Sequence, residues 1–461
     1  MEGCFAPGSQ DVESLPIGTH AETAMIDLRI GWGVLGVFLC SAAYGGVSKP
    51  IASAAIEREV RAVAPQAIAW RRDIHEHPEL GYQETRTAQL VTRHLQSLGI
   101  EVISGLAHTG VIGVLHGASP GPVVALRSEL DALPVTEAVD LPFASKVRVS
   151  YHGQDTGVMH ACGHDVHIAI LMGAASVLSR FRAQIHGTVV FIFQPDEEQT
   201  ADQKEKGGAE LMLAEGMLEK VHPTAVFSLH VTNQFTVGEV RLSPNSAKAG
   251  ADAIEIVVTG KQVHAARPWE GVDPIVTASQ IVLGLQTVIS RQVDPTVEPA
   301  VLSIGMINGG IRPNIIPDTV TLSGGLRWFS EHGRMSIREK VNRVVQGIAS
   351  SAGATATVTI TPIMPPVTNS AELARAMGPT LNDLHVLATG PSPTSDDVGY
   401  LMQRIPGLYL FLGATPQGVD TTTTAANHSP KFFVDEGAVT TGIRLMSRLA
   451  ADYVARDPHI Q

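Results

Sequence analysis

Val158-Met159-His160-Ala161-Cys162-Gly163-His164-Asp165-Val166-His167 gathers a thiol, three imidazoles and a carboxylate into one short stretch. Thiolate, imidazole and carboxylate are the donor set of zinc and related divalent cations. Cys162 and His164 are two apart. That spacing points side chains the same way from an extended segment and to different sides of a helix. The apolar run Ile168 to Leu178 reads as a helix, so the pair is expected just ahead of it. A loop of solvated histidines would explain one or two such residues better than it explains this density.

Other polar residues fall where strands end. Gly110 to His116, Val123 to Leu130, Gly187 to Phe193 and Ala225 to Leu229 read as strands, with helices at Ile51 to Trp70, Thr85 to Leu98 and Gly207 to Glu215. Continuous apolar strands between helices predict a largely parallel sheet covered on both faces. Glu129 and Asp131 close one strand, Glu197 and Glu198 follow the next, and His230 follows the third. Open α/β sheets bind ligands beyond the carboxyl ends of their strands. Each residue has a plain explanation of its own: a cap, a solvated acidic turn, a satisfied core histidine. Their shared position is the signal. The segment Asp73 to Leu80, with His75, His77, Glu76 and Glu79, reads equally as metal-like or as a helix end broken by Pro78.

From about Asn245 the pattern becomes strand (Ala253 to Thr259), helix (Asp273 to Ser290), two strands (Val301 to Asn308, Thr319 to Trp328), helix (His332 to Ser350) and strand (Ala356 to Thr361). That βαββαβ order predicts a ferredoxin-like satellite domain. Helices at Glu372 to Leu384 and Asp435 to Val454 and a strand at Gly407 to Leu412 then return to the first sheet. The expected division is a discontinuous catalytic domain, 51–244 and 363–457, interrupted by a satellite domain, 245–362.

The chain has 461 residues, 44% apolar and only 5% aromatic, with 44 glycines, which suits close-packed α/β layers. A net charge of -12 argues against nucleic acid as a partner. Residues 1–47 form an N-terminal extension. Within it, the apolar run Ile30 to Ala43 after Arg29 is short for a membrane span and fits a signal peptide, with Met25 as an alternative start and Ser41-Ala42-Ala43 as a cleavage site. Export to a periplasm or the exterior is expected, without stable membrane insertion. An uncleaved N-terminal anchor is the alternative. Of Cys4, Cys40 and Cys162, cleavage leaves Cys162 alone, a thiol better committed to a metal than left free.

Together these motifs resemble the M20 metallopeptidase family, in its amidohydrolase branch of hippurate hydrolases, N-acyl-amino-acid amidohydrolases and auxin-conjugate hydrolases. The resemblance is carried by Asp73 to Leu80, Leu130-Asp131-Ala132-Leu133-Pro134, Met159 to His167 and Phe193-Gln194-Pro195-Asp196-Glu197-Glu198. It continues through His264-Ala265-Ala266-Arg267-Pro268, Gly271-Val272-Asp273-Pro274, Asn314-Ile315-Ile316-Pro317 and His428-Ser429-Pro430. It implies a zinc-exopeptidase-like catalytic domain and two divalent metal ions, zinc or manganese first, cobalt or nickel also compatible. Cys162, His164, Glu198, His230 and His428 would be the ligands and Glu197 the general base. Asp131 would complete the catalytic set, with His264 as oxyanion donor. Asn314 and Arg327 would lie near the substrate.

The implied reaction is metal-assisted hydrolysis of the amide bond of N-acyl amino acids. An exopeptidase cleaving dipeptides or C-terminal residues is the alternative, and a non-catalytic binding protein a third reading. His264 lies in the satellite domain, so it needs domain closure or a homodimer formed through that domain to reach the metals. Four positions depart from the family: Glu129 for Asp, Asp196 for Ala, Val166 for Gly, and Ser395-Asp396-Asp397-Val398 for the commoner Ser-Glu-Asp-Phe. None removes a ligand.

Overall fold

The computed structural model describes residues 50–199 and 205–456. The expected signal segment lies outside them. Among the described residues no helix is long and apolar enough to cross a membrane.

An eight-stranded sheet is the frame. Its order is Glu101–Leu106, Gly110–His116, His186–Gln194, Ser119–Glu129, Ala225–Thr236, Gly407–Thr415, Val240–Leu242, Leu387–Ala388. The four middle strands, from His186–Gln194 to Gly407–Thr415, run parallel. Antiparallel pairs join on both sides.

Alternation along these strands sends side chains to two cores. Val124, Leu126, Val189, Phe191 and Phe193 join the core beneath the helices Ser53–Glu76, His164–Arg180 and Gly437–Val454. Ala125, Val190, Ile192, Tyr409 and Phe411 face the opposite core, which holds Met212 and Met217. A parallel sheet buried on both faces needs such apolar continuity.

The βαββαβ order is also present: Gly250–Thr259, Pro274–Gln292, Ala300–Gly309, Thr319–Trp328, Glu331–Ser351, Thr355–Met364. The strands form a separate antiparallel sheet in the order 300–309, 319–328, 250–259, 355–364. Two helices supply its core through Ile281, Leu285, Ile337 and Val341. Asp273 caps the first of these helices, accepting from the backbone N–H of Ile275 and Val276.

Three expectations are corrected. The helix after the cysteine spans His164–Arg180, so His164 stands in its first turn rather than ahead of it. Gly163, at φ 94°, makes the turn between Cys162 and the helix, and a Cβ there would meet Val231 Cγ2 at 2.3 Å. The strand Ala225–Thr236 continues past His230. Its pairing with Ser119–Glu129 ends at Arg127↔Ser228, while its pairing with Gly407–Thr415 runs on to Thr415↔Thr236. His230 therefore lies within a strand, yet beyond the stretch of it that pairs with Ser119–Glu129. The region 372–384 forms two short helices, Ala371–Ala376 and Gly378–Asp383, instead of one.

Helices His164–Arg180 and Gly437–Val454 approach through reciprocal glycines. A Cβ on Gly442 would lie 2.2 Å from Ile170 Cδ1, and one on Gly173 2.5 Å from Ile443 Cδ1. Gly442→Val is therefore expected to overpack this contact and cost about 1–3 kcal/mol of stability. Urea unfolding should show a lower midpoint at unchanged slope; an unaltered midpoint would contradict the tight approach.

Candidate active site

The turn at Cys162, the loop after strand His186–Gln194, the strand residue His230 and the loop at His428 converge. Cys162, His164 and His230 each place a donor atom within 4.8 Å of the others, as do Cys162, Glu198 and His428, and His164, Glu197 and Glu198. Cys162 Sγ is 3.3 Å from His230 Nε2 and 3.3 Å from His428 Nε2. His428 Nε2 is 3.0 Å from Glu198 Oε1, and His164 Nε2 is 3.8 Å from Glu197 Oε2.

Several contacts aim these groups. His164 Nδ1 donates to the Asp131 carbonyl oxygen at 2.8 Å, and His230 Nδ1 donates to the Val231 carbonyl oxygen at 2.8 Å. With Nδ1–H spent, the Nε2 of each ring keeps its lone pair toward the cluster. Asp131 Oδ2 accepts from the Glu198 backbone N–H at 2.9 Å. The His428 loop is tied down by its own N–H to Ala161 O at 2.8 Å and by Asn427 Nδ2 to Cys162 O at 3.0 Å. His428 and Asp196 hold left-handed backbones, φ 70° and 43°. Strain of this kind persists where surrounding contacts enforce it. Glu84 does so at Asp196, accepting its N–H at 2.9 Å. Burial pushes the Glu84 carboxyl up to about 8.

The residues fit a divalent cation pair. His164 Nε2 is buried without a hydrogen-bond partner. Burial, then the nearby Glu198 carboxylate, push the Cys162 thiol well above its usual range, and a cation at the cluster is what would make it a thiolate. Burial pushes the Glu197 carboxyl well above the usual carboxylate range, with Asp396 and Glu198 adding repulsion.

The other polar groups of the chain's first motifs work behind this cluster. His167 accepts the Val231 N–H at Nε2 (2.9 Å) and donates from Nδ1 to Glu129 (2.7 Å), so neither nitrogen is free to ligate. Asp165 is held by Arg71 Nε at 2.8 Å and His75 Nδ1 at 2.9 Å. Glu79 accepts the N–H groups of Arg86 and Thr87 at the start of the helix Thr85–Ser97. The segment Asp73 to Leu80 is thus supporting structure.

Beneath Glu197 lies a buried charge network that the motifs do not reveal. Arg127 pairs with Glu129, with Asp396 at 3.2 Å and with Asp397 at 2.9 Å, and donates to Gln194 Oε1 at 2.9 Å. Lys248 Nζ reaches Asp396 Oδ2 at 3.3 Å, and the Tyr409 hydroxyl donates to the same oxygen at 2.8 Å. Burial pushes the Asp397 carboxyl up to about 7 despite Arg127. In the sequence its members appear only as separate polar residues, Arg127 and Glu129 at the end of one strand, Gln194 at the end of another and Asp396-Asp397 far along the chain.

The cluster opens on a cavity of about 550 Å³ lined by Cys162, Glu197, Glu198, His230, His428, Lys248 and Arg327, among others. Arg327 Nη1 donates to Ser395 Oγ at 2.6 Å. His264 and Asn314 sit together elsewhere. His264 is paired across a short ladder with Ile315, Ala265 N–H bonds the Asn314 carbonyl oxygen, and both residues are exposed and outside the cavity wall.

A family model described as peptidase family M20/M25/M40 matches residues 125–452. The chain belongs to this family. M20 relatives include the N-acetylcysteine deacetylase of Bacillus subtilis (strain 168), 37% identical over 85% of this chain and 97% of its own length. Thermostable carboxypeptidase 1 of Saccharolobus solfataricus is 36% identical over 86% of this chain and 98% of its own. Among solved structures, a dinuclear metal-binding peptidase of the M20 family from Bacillus subtilis superimposes with a TM-score of 0.72. It is 34% identical, with 86% of this chain and 99% of that one covered. The M20 chain described here is accordingly a metal-dependent amide hydrolase on an α/β fold.

Removing Arg127 strands three buried carboxylates. Arg127→Met is expected to cost about 3–5 kcal/mol. Chemical denaturation of the variant measures this directly, and a loss under about 1 kcal/mol would mean the network tolerates an uncompensated charge that burial should not allow.

Proposed function

We propose that the protein is a binuclear metal-dependent amidohydrolase that cleaves the amide bond of N-acyl amino acids. The observation that carries this reading is the convergence of five donors and one further carboxylate, Glu197, with four of the donors and Glu197 in the wall of a cavity that Arg327 also lines. Cys162, His164, Glu198, His230 and His428 are the residues that would hold the cations, and zinc or manganese suits this mixed set best. Such ions, when bound, acidify a water and polarise an amide carbonyl.

The chain's own residues supply the rest. Glu197 is adjacent in sequence to a ligand but points its carboxyl 3.8 Å from His164 Nε2, within the cluster and not bonded to it. Its raised pKa suits a group that takes a proton from water and returns it to the leaving amine. Asp131 fixes both His164 and the Glu198 backbone, so it orients two ligands at once. Arg327, which donates from Nη1 to the Ser395 hydroxyl, is the seat for the substrate carboxylate.

His264 and Asn314 belong, in this reading, to a homodimer in which the βαββαβ module of one copy serves the other. The unpaired edge strand Ala300–Gly309 supports it, with Val301, Met306 and Ile307 exposed. A peptidase reading keeps the same centre and changes the substrate; the carboxypeptidase relative favours it.

Glu197→Gln should lower kcat by at least about a hundredfold while metal content by elemental analysis stays at the wild-type level. Retained turnover would remove Glu197 from the mechanism. Stripping the metals with a chelator should abolish hydrolysis and lower the thermal midpoint, since a ligand bound only to the native state stabilises it. Re-addition of zinc or manganese should restore both; a midpoint indifferent to chelator would contradict the ligand assignment.

A further inference from the structure

Lys248 is absent from every motif, yet it stands in the wall of the reaction cavity beside Cys162 and His230. It ends the strand Ser246–Lys248, and only 5% of it is exposed. Its Nζ lies 3.3 Å from the Ser395 carbonyl oxygen and 3.3 Å from Asp396 Oδ2. The Tyr409 ring centroid is 5.3 Å away. Those two bonds use two of the three donors of an ammonium.

Its counter-ion lies behind it. Asp396 is fully buried, is absent from the cavity wall, and is shared with Arg127 and the Tyr409 hydroxyl. Of this ion pair, then, Lys248 lines the cavity and Asp396 does not. Among the described residues, the acidic side chains in the wall are Glu197 and Glu198 alone. Both are already committed, one as base and one as ligand. The rest of the wall, apart from the cations and the ligand side chains, is uncharged: amides such as Gln234 and Asn427, hydroxyls such as Thr389 and Ser392, and apolar groups such as Phe235 and Met364.

We infer that Lys248 makes this cavity select substrates with an uncharged acyl part over those with a free α-ammonium, that is, N-acyl amino acids over dipeptides. The inference rests on the amide-hydrolase reading above and sharpens it. The α-ammonium of a dipeptide is one carbon from the scissile carbonyl. Once that carbonyl reaches the Cys162–His230 end of the cavity, the ammonium is placed near Lys248 with no free carboxylate to receive it. Like charges brought close in a water-poor site repel strongly, and specificity of this kind is built from what a site refuses. An acyl chain carries no such charge and meets only the cost of desolvating carbon. In a longer peptide the terminal ammonium is far from the scissile bond, so Lys248 does not oppose it.

The test uses an isosteric pair on the metal-loaded full chain. N-propionyl-leucine and glycyl-leucine differ at one position, a methyl against an ammonium. Wild type should favour the propionyl substrate in kcat/KM by at least about tenfold. Lys248→Met should reduce that ratio about tenfold, and Lys248→Arg should keep it. Thermal melts establish that each variant is folded. Wild type alone gives a second reading. The α-amino group of a dipeptide loses its proton near pH ~8, so the preference should shrink from about pH 7 to about pH 9. A ratio unchanged in folded Lys248→Met, a ratio flat across that pH range, or a wild-type preference for glycyl-leucine would each overturn the role of Lys248 and leave the hydrolase reading standing. Turnover of neither substrate would overturn both.

Discussion

One guanidinium holds the floor of this site together. Arg127 bonds the end of its own strand through Glu129, the neighbouring strand through Gln194, and the Asp396–Asp397 turn that precedes a short helix. Each of those three segments leads to a functional group. Glu129 orients His167, which takes the Val231 N–H next to His230. Gln194 ends the strand whose loop carries Glu197 and Glu198. Asp397 accepts the Ala209 N–H, fixing the far side of the same loop. Only a planar fork with five donors in fixed directions can serve three carboxylates and an amide at once. A lysine in its place would supply the charge and lose the geometry.

The histidines divide by what the second ring nitrogen does. His164 and His230 spend Nδ1 on backbone carbonyl oxygens and turn Nε2 toward the cluster, where that of His230 meets Cys162 Sγ. His167 has both nitrogens occupied, and His75 lies between Asp165 and Glu137. His160 is buried with neither nitrogen bonded, and burial holds its pKa down to about 3. Residue type made all of them candidates. For His164, His230 and His167 the neighbours that occupy the ring nitrogens separate the two able to offer Nε2 to a cation from the one that cannot.

What could be read from the sequence follows the same line. The alternation of apolar strands and helices was visible because burial on both faces demands it, and it located the carboxyl ends where Glu197 and Glu198 emerge. The βαββαβ module was visible from period alone. The extent of the strand around His230 was not, because it depends on which neighbour's pairing ends first, a property of pairing and not of the strand. His264 could be named but not placed: within one chain it pairs with Ile315 and stays outside the cavity. The Arg127 network joins residues up to 270 apart in sequence, and Lys248 meets Asp396 across 148. Contacts at that distance leave no local pattern beyond a charged residue in an apolar run.

The metal cluster cannot by itself decide what the enzyme cuts. A deacetylase and a carboxypeptidase stand at 37% and 36% identity to the chain, so similarity on this scale does not choose between them. Water activation and carbonyl polarisation are the same for any linear amide. Discrimination must come from side chains that touch the substrate away from the reacting carbon. The cavity wall carries two cationic side chains outside the ligand cluster, Lys248 and Arg327. On the reading proposed above, Arg327 rewards a carboxylate on the amine side and Lys248 penalises an ammonium on the acyl side. A site built in that way would read charge at both ends of one amide, favouring a blocked amino acid over a free dipeptide.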